Sequence, residues 1–268
     1  MLRLSALYRF PLKSAKGESL PQARLDRLGL VGDRRWMLVD EASGRFLTQR
    51  ADPVMSQLSA LWNAAGGLTL NARGFDPLDV KVPDAESNLR GVTIWRDTLR
   101  VPDAGDAAAD WLSRFVEKPV RLVHVPLERA RTTEAGYGRD DDKVAFADGY
   151  PLLLIGQASL DDLGARVGRE LDMLRFRPNL VIEGSEAFAE DGWKRIRIGD
   201  TEFRVVKSCS RCILTTVDPH TGVRDEQREP LATLMTYRKQ AEGTMFGQNL
   251  VNDGNGVLEV GMPVTILE

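Results

Sequence analysis

Lys207-Ser208-Cys209-Ser210-Arg211-Cys212, followed by Ile213-Leu214-Thr215-Thr216-Val217 and Asp218-Pro219-His220-Thr221-Gly222, is the stretch around which the chain is organised. It holds both cysteines, two cations and one of the two histidines. A thiol beside fixed positive charge has its thiolate favoured, because only the anion gains from the field. The β-branched run from Ile213 to Val217 reads as a buried strand, and Asp218 to Gly222 as the turn that ends it. The cysteines are therefore expected on a loop at the mouth of a strand.

Two cysteines separated by two residues admit several chemistries. A structural zinc site needs four ligands, and only His124 and His220 are present to complete the set. A thioredoxin-like redox pair sits at a helix N-terminus, whereas this one runs into a β-branched stretch. A single thiolate beside Arg211 that holds a metal or a sulfur centre, and a plain pair of thiols, both remain open on the residues alone.

The chain has 268 residues, 43% hydrophobic and 28% charged, which suits a soluble globular protein of one large domain or two modest ones. A net charge of −3 argues against general binding to nucleic acid or to an acidic membrane surface, so any basic site must be local. Two cysteines make no disulfide scaffold and point to a reducing compartment. No apolar run approaches the roughly 20 residues of a membrane helix, and Arg3, Arg9 and Lys13 interrupt any signal-peptide core. The chain reads as cytoplasmic.

In the first half, short strands are expected at 2–10, 22–28, 35–40, 45–48, 56–62, 67–71, 78–82, 91–101 and 119–125, with a helix over 105–117 capped by Asp103. This pattern suggests a sandwich or barrel. Lys13-Ser14 after a proline, and Asp33-Arg34-Arg35 before an apolar run, read either as solvated strand ends or as an anion site on one rim. The polar segment 127–148 reads as a linker or lid. Beyond it lie the buried strand Leu152–Ile155, a helix from its cap Ser159 to about Arg169, and a strand after Arg177-Pro178-Asn179. Strands at 194–198 and 201–207 and a helix over 229–240 with Pro230 in its first turn follow. The fold class expected is α+β, mainly β, in two linked units.

Seven segments in order resemble one family: PLKS (11–14), GDRRWMLVD (32–40), FADGYPLLLIGQASLDDL (146–163), FRPNLVI (176–182), CSRCILTTVDPHTG (209–222), EPLATLMTYR (229–238) and FGQN (246–249). The chain is similar to the MOSC-domain proteins, of the branch that contains the mitochondrial amidoxime-reducing component and its bacterial relatives. The resemblance implies an N-terminal β-barrel domain at 1–121 packed on a MOSC domain at 122–268, with a molybdenum cofactor (Mo-molybdopterin) between them. It makes Cys212 the molybdenum ligand and places cofactor contacts on Lys13, Ser14, Arg34, Gly149, Tyr150, Arg177, Asn179, Ser210, Arg211 and Asn249. Gly149-Tyr150 departs from the small hydroxylated residues of the best-known relative, and Asn249 from its tyrosine.

The activity implied is two-electron reduction of N-hydroxylated compounds, with Cys212 and Asp148 at the catalytic centre and Asp148 a candidate proton source. Two cysteines cannot hold an iron–sulfur cluster that takes four, and no dinucleotide-binding glycine pattern is present. A separate electron donor of ferredoxin, flavodoxin or cytochrome b5 type, with its reductase, is therefore expected. The competing readings are a sulfur carrier that holds a persulfide on a cysteine, a cofactor-binding protein without turnover, and a zinc- or disulfide-stabilised domain.

Overall fold

A computed structural model describes residues 1–63 and 65–268. The fold is α+β and mainly β, with three α-helices among the described residues: α1 (Asp106–Val116), α2 (Gln157–Val167) and α3 (Leu231–Tyr237). The largest sheet runs in spatial order Glu18–Leu20, Arg3–Arg9, Leu180–Glu183, Leu152–Gly156, Gly243–Asn252, Thr201–Arg211, Arg195–Ile198 and Val264–Ile266. Within it Leu152–Gly156 and Leu180–Glu183 pair in parallel, and α2 makes the crossover that parallel neighbours require.

Leu152–Ile155 is apolar at every position because both of its faces are covered. Leu152 and Leu154 pack with Leu4, Ile182 and Phe203, while Leu153 and Ile155 face Leu163, Phe176, Leu234 and Phe246 beneath α2 and α3. A third core joins Trp36 and Leu38 to Ala108, Trp111 and Leu112, which recur on one face of α1. Both sides of residue 121 contribute to shared sheets: Arg3–Arg9 pairs with Leu180–Glu183, Gln22–Asp26 with Val257–Glu259, and Trp36–Asp40 with Val120–His124.

The structure corrects several local expectations. The stretch 91–101 is not one strand but a hairpin, Leu89–Ile94 against Asp97–Pro102, turning at Trp95-Arg96. Neither residue favours a tight turn, and Trp95 takes a left-handed φ of 54°. Ile213–Thr216 is a 3₁₀ turn rather than a strand, held in part by the Thr215 hydroxyl donating to the Cys212 carbonyl at 3.0 Å and the Thr216 hydroxyl to the Ile213 carbonyl at 2.7 Å. The preceding strand runs on to Arg211, so the cysteines lie at a strand's end and not at the mouth of a following one. Residues 45–48 make isolated bridges only, and Pro53–Gln57 is a 3₁₀ turn ahead of the strand Ser59–Trp62. α1 starts after Gly105 without a side-chain cap, and Asp103 instead accepts from the Gly105 N–H at 2.8 Å and pairs with Arg90 and Arg121. α2 starts at Gln157 after the cap position Gly156, three residues ahead of the expected cap, and the buried Ser159 hydroxyl donates to Glu190 at 2.9 Å instead of capping the helix. Segment 127–148 is not a loose linker: Val144, Ala145 and Phe146 are buried, and Asp142 holds Arg204 at 2.7 Å.

Candidate functional site

The end of Thr201–Arg211, the loops before Leu152 and Leu180, the turn at Lys13-Ser14 and the turn at Asp33-Arg34 converge on one cleft with about 830 Å³ of empty space, open to solvent. It is lined by Lys13, Ser14, Arg34, Asp148, Gly149, Tyr150, Arg177, Asn179, Ser210, Arg211, Cys212 and Asn249. Thr48, Arg50, Phe176, Cys209, Leu214 and Thr215 also line it. The sequence carried little signal for Arg50 and Thr48, which sit in a polar loop ahead of Pro53.

Charge is the dominant property of this wall. Among the described residues lining it, five cations (Lys13, Arg34, Arg50, Arg177 and Arg211) face one carboxylate, Asp148, in a chain of net charge −3. Arg34 donates to buried Asp33 at 2.6 Å, to Asn179 Oδ1 at 3.0 Å and to the Arg177 carbonyl at 2.8 Å. Its guanidinium and that of Arg177 both lie over the Phe10 ring, at 4.4 and 4.2 Å. Burial, and then the charge of Arg34, push the Arg177 guanidinium down to about 9, so it stays cationic at neutral pH. Arg177 donates through Nη1 to the Ala15 carbonyl at 2.6 Å, which leaves Nη2 buried without a partner. Arg211 donates to the Phe176 carbonyl at 2.5 Å, and its Nε is likewise orphaned. Two guanidinium groups on one ring, with unpaired buried donors, are the arrangement an anionic ligand would relieve.

The backbone is strained in the same place. Ser14, Arg34 and Arg177 have left-handed φ values of 65°, 46° and 56°, where residues with a Cβ are disfavoured. Irregular pairing between Ser208 and Ser210 interrupts the ladder at the cysteine motif, a position where a bulge re-aims side chains. Both cysteines are free, Cys209 half-buried and Cys212 exposed. Of the two cations beside them in sequence, Arg211 approaches Cys209 Sγ at 2.9 Å, whereas Lys207 turns away to Glu134 at 2.9 Å.

Lys13 is buried and donates to Asp148 at 2.5 Å and to the Phe146 carbonyl at 2.8 Å. Crowding in the cleft favours the neutral acid of Asp148, but the Lys13 ammonium, with Arg50 and Arg34 behind it, outweighs this and holds the group down at about 2. Water reaches 72% of the Asp148 side chain, so solvent screens part of that field. Asp148 is thus ionised at neutral pH and accepts the hydrogen bond of Lys13 Nζ. As the proton source expected from its position, Asp148 is poorly suited.

Tyr150 is buried with its hydroxyl unpartnered, and burial, with Glu134 nearby, raises its pKa. It presents a neutral donor to the cleft. A Cβ on Gly149 would meet only Glu134 Oε2, at 4.0 Å, so no steric demand explains that glycine. Asn179 uses its amide within the protein, accepting from Arg34 and from the Leu153 N–H at 3.2 Å and donating to the Tyr8 carbonyl at 3.1 Å, so it braces the cations. Asn249 pairs across the sheet with Leu153 and Lys207. The histidines stand apart from the thiols: His124 is buried against Trp36, and His220 bonds Asp172 at 2.6 Å. Among the described residues no three His, Cys, Asp or Glu side chains cluster as a metal site. No described helix is long and apolar enough to cross a membrane.

Comparison with known proteins matches residues 1–119 to the MOSC N-terminal beta barrel domain and residues 141–265 to the MOSC domain. The chain belongs to the MOSC-domain family. Within it, mitochondrial amidoxime-reducing component 1 of Danio rerio is 37% identical over 268 residues, 95% of this chain and 81% of that protein. The Mus musculus and Homo sapiens proteins of the same name are 36% and 34% identical, each over 98% of this chain and 82% of theirs. This MOSC protein is therefore of the amidoxime-reducing-component branch. The cleft fits the anionic, metal-bearing group that the family implies: it offers one soft, accessible thiol at Cys212, five surrounding cations and unpaired buried donors on Arg177, Arg211 and Tyr150.

Proposed function

We propose that the cleft binds a molybdenum cofactor and that the protein reduces N-hydroxylated compounds such as amidoximes, hydroxamic acids and N-hydroxylated bases. The observation that carries this reading is that five cations line the same cleft as the Cys212 thiol in an acidic protein. Cys212 would hold the metal through its thiolate, while Lys13, Ser14, Arg34, Arg177, Ser210 and Arg211 would hold the pterin and its phosphate. When bound, the cofactor supplies a two-electron redox centre able to accept oxygen from an N–O bond. Reduction of an amidoxime takes two electrons and two protons, breaks the N–O bond and releases water with the amidine.

The chain's own residues bear on binding and protons. Lys13 Nζ lies against Asp148 within the cleft, where burial lowers its pKa and Asp148 opposes that fall. Tyr150 offers its hydroxyl to a bound ligand, and Asn179 fixes Arg34. Electrons come from a separate donor with its reductase, since two cysteines do not make a cluster site. A sulfur-carrier role would need a reactive thiol but not five cations.

The test is dithionite-driven reduction of benzamidoxime by protein made in a cofactor-producing host. Turnover by the wild type and none by Cys212→Ala is expected. Equal turnover in Cys212→Ala would overturn the mechanism, and loss in Cys209→Ser with retention in Cys212→Ala would reverse the roles of the two thiols.

A further inference from the structure

Beside the cleft lies a shallower recess, with about 770 Å³ of empty space, lined by Arg45, Phe46, Thr48, Arg50, Trp95 and Arg96. Thr48 and Arg50 belong to both linings, so the two are contiguous. Among the described residues Arg45, Arg50 and Arg96 make no ion pair, although most arginines of this acidic chain that border the cleft or its neighbouring loops are neutralised or hydrogen-bonded within the fold. Arg45 and Arg96 are exposed.

Trp95 stands at the centre, 37% exposed, on a two-residue hairpin turn at a left-handed φ of 54°. A bulky side chain there is a genuine outlier, at a place that glycine or asparagine normally takes. Its ring packs on Phe46 at 4.9 Å and beneath the Arg50 guanidinium at 4.6 Å. Lys13 Nζ, inside the cleft, lies 5.4 Å from the Phe46 ring and 5.8 Å from that of Trp95. One aromatic pair therefore reaches from the outer surface to the cleft. Exposed tryptophan ringed by arginine is the composition that anchors protein interfaces.

We propose that Arg45, Arg50, Trp95 and Arg96 form the docking surface for an acidic one-electron carrier. This rests on the reductase reading given above. Unpaired cations on a net-negative protein match an acidic partner and repel a basic one, and such rim charges act chiefly on the rate of encounter. Each docking delivers one electron and leaves the carrier oxidised by one, so two dockings supply the pair that one N–O bond consumes, with two protons taken from water.

The test uses the cofactor-loaded protein, a strongly acidic [2Fe–2S] ferredoxin as probe, and two double variants of equal charge change. R45E/R96E reverses the proposed surface, and R73E/R197E reverses two exposed arginines elsewhere. Ferredoxin binding and ferredoxin-driven kcat/KM at low ionic strength should fall roughly tenfold in R45E/R96E and not in R73E/R197E, with the gap closing at high salt. Dithionite-driven turnover should be the same in all three proteins. The proposal is overturned if the two double variants behave alike, or if the wild type does not bind the ferredoxin. If the wild type turned over nothing with dithionite, the reductase reading would fail separately, and ferredoxin binding would still decide the surface.

Discussion

Arg34→Ala tests whether the cationic cluster is wired into the fold as the geometry requires. Arg34 is 9% exposed and gives up three hydrogen bonds in this substitution: to Asp33 at 2.6 Å, to Asn179 at 3.0 Å and to the Arg177 carbonyl at 2.8 Å. Asp33, 2% exposed, would keep only the Phe10 N–H at 2.8 Å. Removing one member of a buried ion pair costs about 3–5 kcal/mol, because the remaining charge is left uncompensated. Arg177 lies over the same Phe10 ring at 4.2 Å and supplies some positive charge nearby, which favours the lower end, about 3 kcal/mol. The left-handed φ of 46° gives no offset, since alanine is strained there as arginine is. Urea unfolding of the wild type, Arg34→Ala, Asp33→Asn and the double variant measures the pair directly. A coupling of at least about 1.5 kcal/mol is expected, with the double variant more stable than the sum of the singles. A loss below about 1 kcal/mol in Arg34→Ala, or simple additivity, would refute the reasoning.

Two further perturbations follow from the fold. Burial, and then Arg35, hold His124 down at about 4, so the unfolded chain binds its proton first as pH falls. Stability contributed by the neutral ring is complete above about 6.5 and is lost towards 4; from pH 7 to 5 this amounts to roughly 2 kcal/mol. His124→Phe, which also removes the unpartnered Nδ1, should be nearly as stable as the wild type at pH 7 and more stable at pH 5 by urea titration; the same pH dependence in both proteins would contradict this. Gly247 has φ 79°, and a Cβ there would meet Ile155 Cγ1 at 2.7 Å and the Leu154 carbonyl at 2.8 Å, so Gly247→Ala should lower stability by about 2–3 kcal/mol. A change under about 0.5 kcal/mol would mean that the strand accommodates the methyl group.

Most of the architecture could be read from the chain because its strands and helices announce themselves by periodicity. Leu152–Ile155 is apolar throughout and lies buried on both faces, and α1 repeats its apolar residues at helical spacing. The misreadings have physical causes. Ile213–Thr216 is rich in β-branched residues, yet threonine hydroxyls bonding back to carbonyls stabilise a 3₁₀ turn instead. Trp95-Arg96 carries no turn signal because tertiary packing on Phe46 and Arg50 holds the strained tryptophan in place. At the site, the residues alone offered Lys13 and Arg34 as a candidate anion site on one rim, but no local pattern ties these to Arg177 and Arg211; they are far apart in sequence, and only the family resemblance put all four in one place before the fold did. The protonation of Lys13–Asp148 was not legible at all, since it depends on a 2.5 Å contact between residues 135 positions apart.

The most direct measurement is the molybdenum content of the protein made in a cofactor-producing host, beside that of Cys212→Ala. Close to one molybdenum per wild-type chain and none in the variant is the result expected. Molybdenum retained by Cys212→Ala, or absent from both, would contradict the assignment of Cys212 as the metal's ligand.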